Sequence, residues 1–396
     1  MKQLKTQIYS LAFGGEGVGK VEGKICFVKD ALPGEEVIFN VIKDTSNYIR
    51  GELIEILTAS PDRVKPVCRY YGKCGGCVLQ HVSHEKELLY KKAQVEELMK
   101  RFAGIKDFVC GSVIASSDPY GYRNSVTLHK GPGGYGYYAR DGRTVIEIKE
   151  CSLAVGAINE MLPIDPAGSK EERLTLKSDH NGHIWRSDRT GERFFTDRYA
   201  DTDMIFSPKA FSQCNRDMSI RAAGVLADWT GRSGDDTVFF DVYCGMGFFS
   251  FLLKHGPAVK VGMDSERVSV DCAKTTVKRN GLKNIKFYKC DAEKDFFRFF
   301  EKNKAEKNII FLDPPRKGLG KDLLEGLMLI EGVDRMYYMS CDPATLARDT
   351  AVLVGSGAWK LGRSSFFDMF PRTKHIEMLV EFEKNNYRRD PCSEKK

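Results

Sequence analysis

From about residue 205 onward, short apolar runs alternate with stretches of helical character. The runs are Val238–Tyr243, Val259–Asp264, Ile285–Asp291, Ile309–Asp313 and Met336–Cys341, with two later ones near 359–367 and 376–383. Parallel strands must be joined by a crossover, and a helix is the usual one. Strands alternating with helices therefore predict a doubly wound α/β sheet. Such a sheet binds its ligands at the carboxyl ends of its strands. Those ends are where the chemistry of this chain should be sought.

The rest of the 396-residue chain reads differently, and its length suits two or three domains. Residues 1–57 are punctuated by Gly14, Gly15, Gly17, Gly19 and Gly23 and carry β-rich runs at Lys24–Val28, Glu36–Ile42 and Gly51–Ile56. That spacing predicts a small antiparallel β-barrel of the oligonucleotide-binding kind. A central β-rich domain is expected over 58–204, and the α/β domain over 205–396. Within the central part, 84–102 predicts an amphipathic helix packed on the α/β domain, with Leu88, Leu89, Val95, Leu98 and Met99 as its apolar stripe. The polar tail from Asn385 to Lys396 reads as frayed.

Composition narrows the class. At 42% hydrophobic and 29% charged, the chain is not disordered along its length. No apolar stretch reaches the roughly 18 residues of a membrane helix. The start, MKQLKTQIYS, lacks the apolar core of a secretory signal, so the expected location is cytoplasmic. A net charge of +7 permits nucleic-acid binding without showing it. The 12 cysteines are then thiols in a reducing compartment. Metal binding, catalysis and burial are their candidate roles, ahead of disulfides.

The strand ends carry the candidate chemistry. Asp241-Val-Tyr-Cys-Gly-Met-Gly247 leaves the first strand and opens a helix through two glycines, which let backbone approach a ligand. An ordinary tight strand–helix turn is the competing reading. Asp264 closes the next strand and suits a ribose; Asp291 closes the third and suits an adenine amino group. The dinucleotide fingerprint is absent, because position 250 is Ser. Acids at three strand ends fit S-adenosylmethionine better than NAD. Asp313 ends the fourth strand, stiffened by Pro314 and Pro315. Cys341 sits at the fifth strand tip, where a helix N-terminus could favour its thiolate. Cys244, Cys272 and Cys290 read as packing. Glu377 opens an otherwise apolar strand and is either a rim residue or aimed into the site. His375 reads as a surface loop histidine.

Five segments together resemble the RNA uracil-C5 methyltransferases: FSPKAFSQCN (206–215), DVYCGMG (241–247), LDPPRKG (312–318), SCDPATLARD (340–349) and DMFPRTKHIE (368–377). Their order and spacing follow the family, and the likeness covers nearly the whole chain. Residues 1–57 resemble the TRAM domain, an RNA-binding barrel. The resemblance implies a Rossmann-like S-adenosylmethionine domain, with Cys341 as nucleophile and Glu377 as base. It implies cofactor contacts from Gln213, Tyr243, Gly245, Gly247, Asp264, Asp291 and Asp313, the last also a candidate for the uracil N3 or O4 edge. It implies that Glu377 is ionised when it acts, through solvent access or hydrogen bonding. Cys68, Cys74, Cys77 and Cys151 resemble the ligands of a [4Fe–4S] cluster, with Cys110 the alternative to Cys151 and a structural role favoured over redox chemistry. Because barrel and cluster occur together, ribosomal RNA is favoured over transfer RNA as the partner, with a monomeric enzyme expected. Two departures stand out: Phe248 where relatives often carry Asn, and Asp342 in place of a frequent Asn. Cytosine-C5 methylation is disfavoured by Asp-Pro-Pro at the fourth strand, and a non-catalytic RNA-binding protein by retention of Cys341, Glu377 and the glycine turn.

Overall fold

The computed structural model describes residues 2–385 except 168, 190, 192 and 233–235; Cys392 and the polar tail past Asn385 lie outside the described residues. Five strands, β1 (Gln3–Leu11), β2 (Glu16–Val21), β3 (Lys24–Lys29), β4 (Glu36–Asp44) and β5 (Tyr48–Thr58), close a barrel in the order β1-β2-β3-β5-β4. The barrel is not wholly antiparallel as expected: β3 and β5, joined through β4, run parallel, and the other pairs are antiparallel. Ile8, Val28, Val37, Phe39 and Ile49 fill it. Gly17 and Gly19, read as punctuation in the sequence, lie inside β2. A Cβ on Gly17 would stand 2.7 Å from the Ala31 carbonyl oxygen, so here glycine marks close backbone approach within a strand.

The barrel is tied to the chain that follows. Arg63 pairs with the fully buried Glu35, and Arg140 pairs with Asp30. Next comes α1 (His84–Phe102), on the residues predicted. Its buried face differs from the predicted stripe: Leu89 is 51% exposed, whereas Glu87, Lys91 and Gln94 are buried beside Val95 and Met99. Polar groups occupy that face because a buried loop offers them partners, described below.

After β6 (Ser112–Ile114), the strands β7 (Ser125–Lys130), β8 (Tyr135–Tyr138), β9 (Val145–Glu147), β10 (Arg173–Ser178) and β11 (Ile184–Arg186) form a sheet of order β11-β10-β7-β8-β9. The short α2 (Gly156–Asn159) contributes Ile158 to its small core with Leu128, Tyr135 and Leu174. A hairpin, β12 (Phe195–Tyr199) with β13 (Thr202–Phe206), packs against the larger domain.

That domain runs α3 (Arg216–Thr230), β14 (Thr237–Val242), α4 (Phe248–Leu252), β15 (Val259–Asp264), α5 (Arg267–Arg279), β16 (Ile285–Lys289), α6 (Ala292–Asn303), β17 (Lys307–Leu312), α7 (Lys321–Leu329), β18 (Arg335–Ser340), α8 (Pro343–Gly355), β19 (Trp359–Phe367) and β20 (Glu377–Lys384). The sheet order is β16-β15-β14-β17-β18-β20-β19-β6. Strands β14 to β18 are parallel, and β20 is antiparallel to both neighbours. All six residues of β14 are buried, as a central strand covered on both faces requires. Val238, Phe240 and Val242 enter one core and Phe239 the other, following the two-residue period. The edge strand β6 comes from the central stretch of the chain, and α1 packs on α8. Asn215, Asp291 and Asp342 each cap a helix by accepting a backbone N–H, worth about 1 kcal/mol apiece.

Candidate active site

The chain leaves β14 at Asp241, which is fully buried. One of its oxygens accepts the Ser250 hydroxyl at 2.6 Å, and Oδ1 has no partner. The turn that follows needs positive φ at Tyr243 (65°) and Gly245 (53°). The Gly245 N–H donates to Asp264 Oδ2 at 2.9 Å, and its missing Cβ would meet open space. The Tyr243 hydroxyl donates to Glu293 Oε1 at 2.6 Å. Gly247 has a different duty. With φ 80° and a phantom Cβ 2.5 Å from the Phe287 ring, it lets the turn pack on β16 and does not border the cleft. Asp264 also accepts the Glu266 N–H at 2.8 Å, and Asp291 accepts the Glu293 N–H at 3.1 Å.

Three neighbouring strands supply the other wall. β17 delivers Asp313, β18 delivers Cys341, and β20 begins at Glu377. Ser340 pairs with Met378, so Cys341 and Glu377 emerge side by side at the carboxyl edge of the sheet. The roof is the loop from Ser207 to Cys214. Buried Lys177 of β10 holds it by donating to the Ala210 carbonyl and, at 2.8 Å, to Ser212 Oγ.

Gln213, Tyr243, Gly245, Asp264, Asp291, Asp313, Cys341 and Glu377 all border one cleft of about 830 Å³. Its size suits a ligand of nucleoside dimensions. Glu293, Arg316, Phe211 and Phe370 border it too and were not singled out from the sequence, although the last three lie within the quoted segments. His375 is not a surface residue; it lines the cleft beside Arg316, 3.2 Å from its Nε2, because the β19–β20 loop folds inward.

The cleft is electrostatically unusual. Burial, then the charge of Asp313, pushes the Glu377 carboxyl well above its ordinary range. Burial, then Asp241 and Asp264, pushes Asp313 up to about 8. Glu377 is 4% exposed and accepts no hydrogen bond from any described protein group, so the access expected for it is to the cleft it borders and the expected bonding is not there. Cys341 is also not a resting thiolate: burial, then Glu377 and Asp313, pushes its thiol up to about 12. The first N–H groups of α8 are taken by Asp342, which accepts from Ala344 and Thr345, and so they do not serve the thiol. His375 is driven down to about 3 by burial and by Arg316, which leaves it neutral.

Away from this cleft, Cys68, Cys74, Cys77 and Cys151 line one small cavity of about 30 Å³ with Tyr70, Tyr137 and Arg123. Burial pushes the Cys77 thiol up to about 12, with Cys151 and Cys74 adding to the rise. Among the described residues, no His, Cys, Asp or Glu group is spaced to hold a single metal ion, and no cysteine is in a disulfide. Cys110 is not a neighbour of the four; it is buried in the core of the large domain beside Val95 and Met99.

The family model for tRNA (uracil-5-)-methyltransferases matches residues 196–385, and the TRAM-domain model matches residues 7–54. A Photobacterium profundum protein named 23S rRNA (uracil(1939)-C(5))-methyltransferase RlmD is 31% identical, over 93% of this chain and 91% of its own. The chain belongs to the RNA uracil-C5 methyltransferase family. A Vibrio campbellii protein of the same name is 27% identical, over 96% of this chain and 95% of its own. The solved tRNA (uracil-54, C5)-methyltransferase of Pyrococcus abyssi shares the fold, with a TM-score of 0.73 at 20% identity, covering 96% of this chain and all of that one. This methyltransferase therefore transfers a methyl group from S-adenosylmethionine to C5 of a uracil in RNA. Its TRAM domain corresponds to the closed barrel. No described helix of the enzyme is long and apolar enough to cross a membrane.

Proposed function

We propose that the enzyme modifies a uridine of 23S ribosomal RNA, with Cys341 as nucleophile and Glu377 as base. The observation that carries the residue roles is the emergence of Cys341 and Glu377 side by side, with Asp313 in the same cleft. Uracil C5 is too weak a nucleophile to be methylated unaided. Cys341 gives up its thiol proton to solvent, and addition of the resulting thiolate to C6 gives C5 enolate character. C5 then takes the methyl group, Glu377 removes the C5 proton, and the thiolate is expelled as the C5–C6 double bond re-forms. A uridine within folded RNA must be splayed out to enter the cleft.

The methyl donor fits the other half of the cleft. Open space at Gly245 and the unpartnered Asp241 Oδ1 leave room and a free acceptor there. Asp264 is our ribose acid and Asp291 our adenine contact. Tyr243, Gln213 and Asp313 complete the contacts, and Gly247 acts through the turn. Ribosomal RNA is preferred over transfer RNA because two of the relatives named above act, by name, on 23S rRNA. We place the enzyme in the cytoplasm as a monomer, a setting that suits its RNA substrate and its free thiols.

We further propose that Cys68, Cys74, Cys77 and Cys151 hold a [4Fe–4S] cluster. The fit rests on four unpaired thiols converging on one partly buried cavity. Cluster ligands bind separate irons, so they need not crowd round one point as the ligands of a single ion do. Bound there, a cluster would staple the segment 68–77 to the loop at Cys151 between β9 and α2.

Incubation with 5-fluorouridine RNA and S-adenosylmethionine traps a covalent adduct, and Cys341→Ala abolishes it. An adduct in that variant would overturn the assignment. Mapping of 5-methyluridine in RNA from cells with and without the gene tests the ribosomal target; a change confined to transfer RNA would refute it.

A further inference from the structure

Asp313, Cys341 and Glu377 stand at the ends of three adjoining strands, and no described cation pairs with either carboxylate. Asp241 and Asp264, at the ends of β14 and β15, add further acids to the same cleft. Arg316 lies on the rim beside His375, which is neutral. Arg123 lies behind, with its Nε 3.4 Å from the Tyr122 hydroxyl, and Cys214 is half-buried near Glu377, its thiol raised by burial. Carboxylates set together in such surroundings do not all ionise; they retain protons. The methyl donor is the one participant that brings a fixed positive charge, its sulfonium.

We propose that Asp313 and Glu377 hold at least one proton before the methyl donor binds, release it to solvent when the sulfonium arrives, and thereby make Glu377 available as the base. The proposal rests on the reading of Glu377 as base and of this cleft as the donor site. Burial of both acids, the charge of Asp313 beside Glu377, and those of Asp241 and Asp264 beside Asp313 raise their proton affinity in the empty cleft. A positive charge beside them reverses that preference.

The consequence reaches into the chemistry. As the bond from C5 to the methyl carbon forms, the sulfur–methyl bond breaks and its electron pair stays on sulfur. The cation becomes a neutral thioether. Glu377 loses its counter-charge at that moment and its affinity for a proton rises. It then takes the C5 proton; the C–H pair forms the C5–C6 double bond, and the C6–S pair leaves with Cys341 as thiolate. The base is thus strengthened by the step that precedes its use.

Proton linkage is read by titration calorimetry of the full chain in buffers of different ionisation enthalpy, at several pH values from 6 to 8. S-adenosylmethionine binding releases close to one proton, and its Kd falls by up to about tenfold per pH unit. S-adenosylhomocysteine, which is neutral at sulfur, shows at most a third of that release. The double variant Asp313→Asn/Glu377→Gln brings the two ligands to the same value, and its binding of S-adenosylhomocysteine shows that it is folded. Equal release by the two ligands in the wild-type protein, which needs no variant, overturns the proposal. So does full release in the double variant. Adduct trapping tests the Cys341 assignment separately: an adduct that persists in Cys341→Ala, with proton release intact, removes that assignment and leaves this one.

Discussion

The main-chain N–H of Arg372 donates to Glu87 Oε1 at 2.7 Å, joining residues 285 positions apart. Glu87 lies on α1, and Arg372 lies on the loop that carries Phe370 and His375 into the cleft and ends at Glu377. Around this bond, Lys91 pairs with Glu87 at 2.7 Å and donates to the Phe370 carbonyl at 3.2 Å. His84 Nε2 meets Asp368 at 2.6 Å. The Arg372 carbonyl accepts from Val78 and Leu79, which links the loop to the cysteine segment. Arg372 itself sits at φ 67°, a conformation the surrounding bonds must hold in place.

Glu87→Ala therefore removes the hub of a buried network and leaves Lys91, 1% exposed, without its nearest partner. Breaking a buried pair from one side costs about 3–5 kcal/mol. Urea unfolding of the full chain should show a loss of that order. Lys91→Met should cost less, since Arg372 still pairs with Glu87. Equal losses from the two substitutions would argue against Glu87 as the hub.

The Cys341 thiol, pushed up to about 12, gives a second prediction. Below that value the thiolate fraction rises about tenfold per pH unit, so alkylation of Cys341 should be slow at pH 7 and rise steadily to pH 9. Glu377 is the foremost charge that raises this thiol. Glu377→Gln removes that charge, and should speed alkylation toward the alkaline end of that window, where Glu377 is ionised, with little effect where it holds its proton. Peptide mass spectrometry after timed exposure to iodoacetamide reads both effects.

The strand ends were legible in the sequence because each apolar run stops at a polar or ionisable residue, and Tyr243, Asp264, Asp291, Asp313 and Cys341 form the cleft walls. The α1 span was legible for the same reason, through its helical period. Its buried face was not. Periodicity ranks Leu89 above Lys91, yet Lys91 is inside because the loop from Asp368 to Arg372 offers it acceptors. Glu377 illustrates a different gap: its strand register showed that it could face the site, but the absence of a hydrogen-bond partner among the described residues is a fact of tertiary packing. Gly247 was read as a ligand glycine, whereas the Phe287 ring beneath it is the reason for its missing side chain.

For the cysteine cavity, anaerobically prepared protein should be brown with about four irons per chain. Cys151→Ala should lose the colour and most of the iron. Cys110→Ala should keep both, since Cys110 is packed among Val95, Met99 and their neighbours in the large domain. Iron analysis and the visible spectrum decide this without reference to activity. A colourless protein with one zinc would overturn the cluster.

Phe211 is 72% exposed at the mouth of the cleft, on the loop that Lys177 anchors. An aromatic ring left in water beside an RNA site offers a face to an unstacked base, and such stacking is worth about 1–3 kcal/mol. Phe211→Ala should therefore lower kcat/KM for RNA by roughly five- to 150-fold. S-adenosylhomocysteine affinity should change far less, because most of the donor contacts come from the ends of β14, β15, β16 and β17 and only Gln213 shares the Phe211 loop. Lys177→Met should show the same pattern more weakly, since it removes the anchor and not the ring. If Phe211→Ala weakened S-adenosylhomocysteine as much as RNA, the ring would belong to the donor half and the path of the flipped base would have to be redrawn along Arg316 and His375.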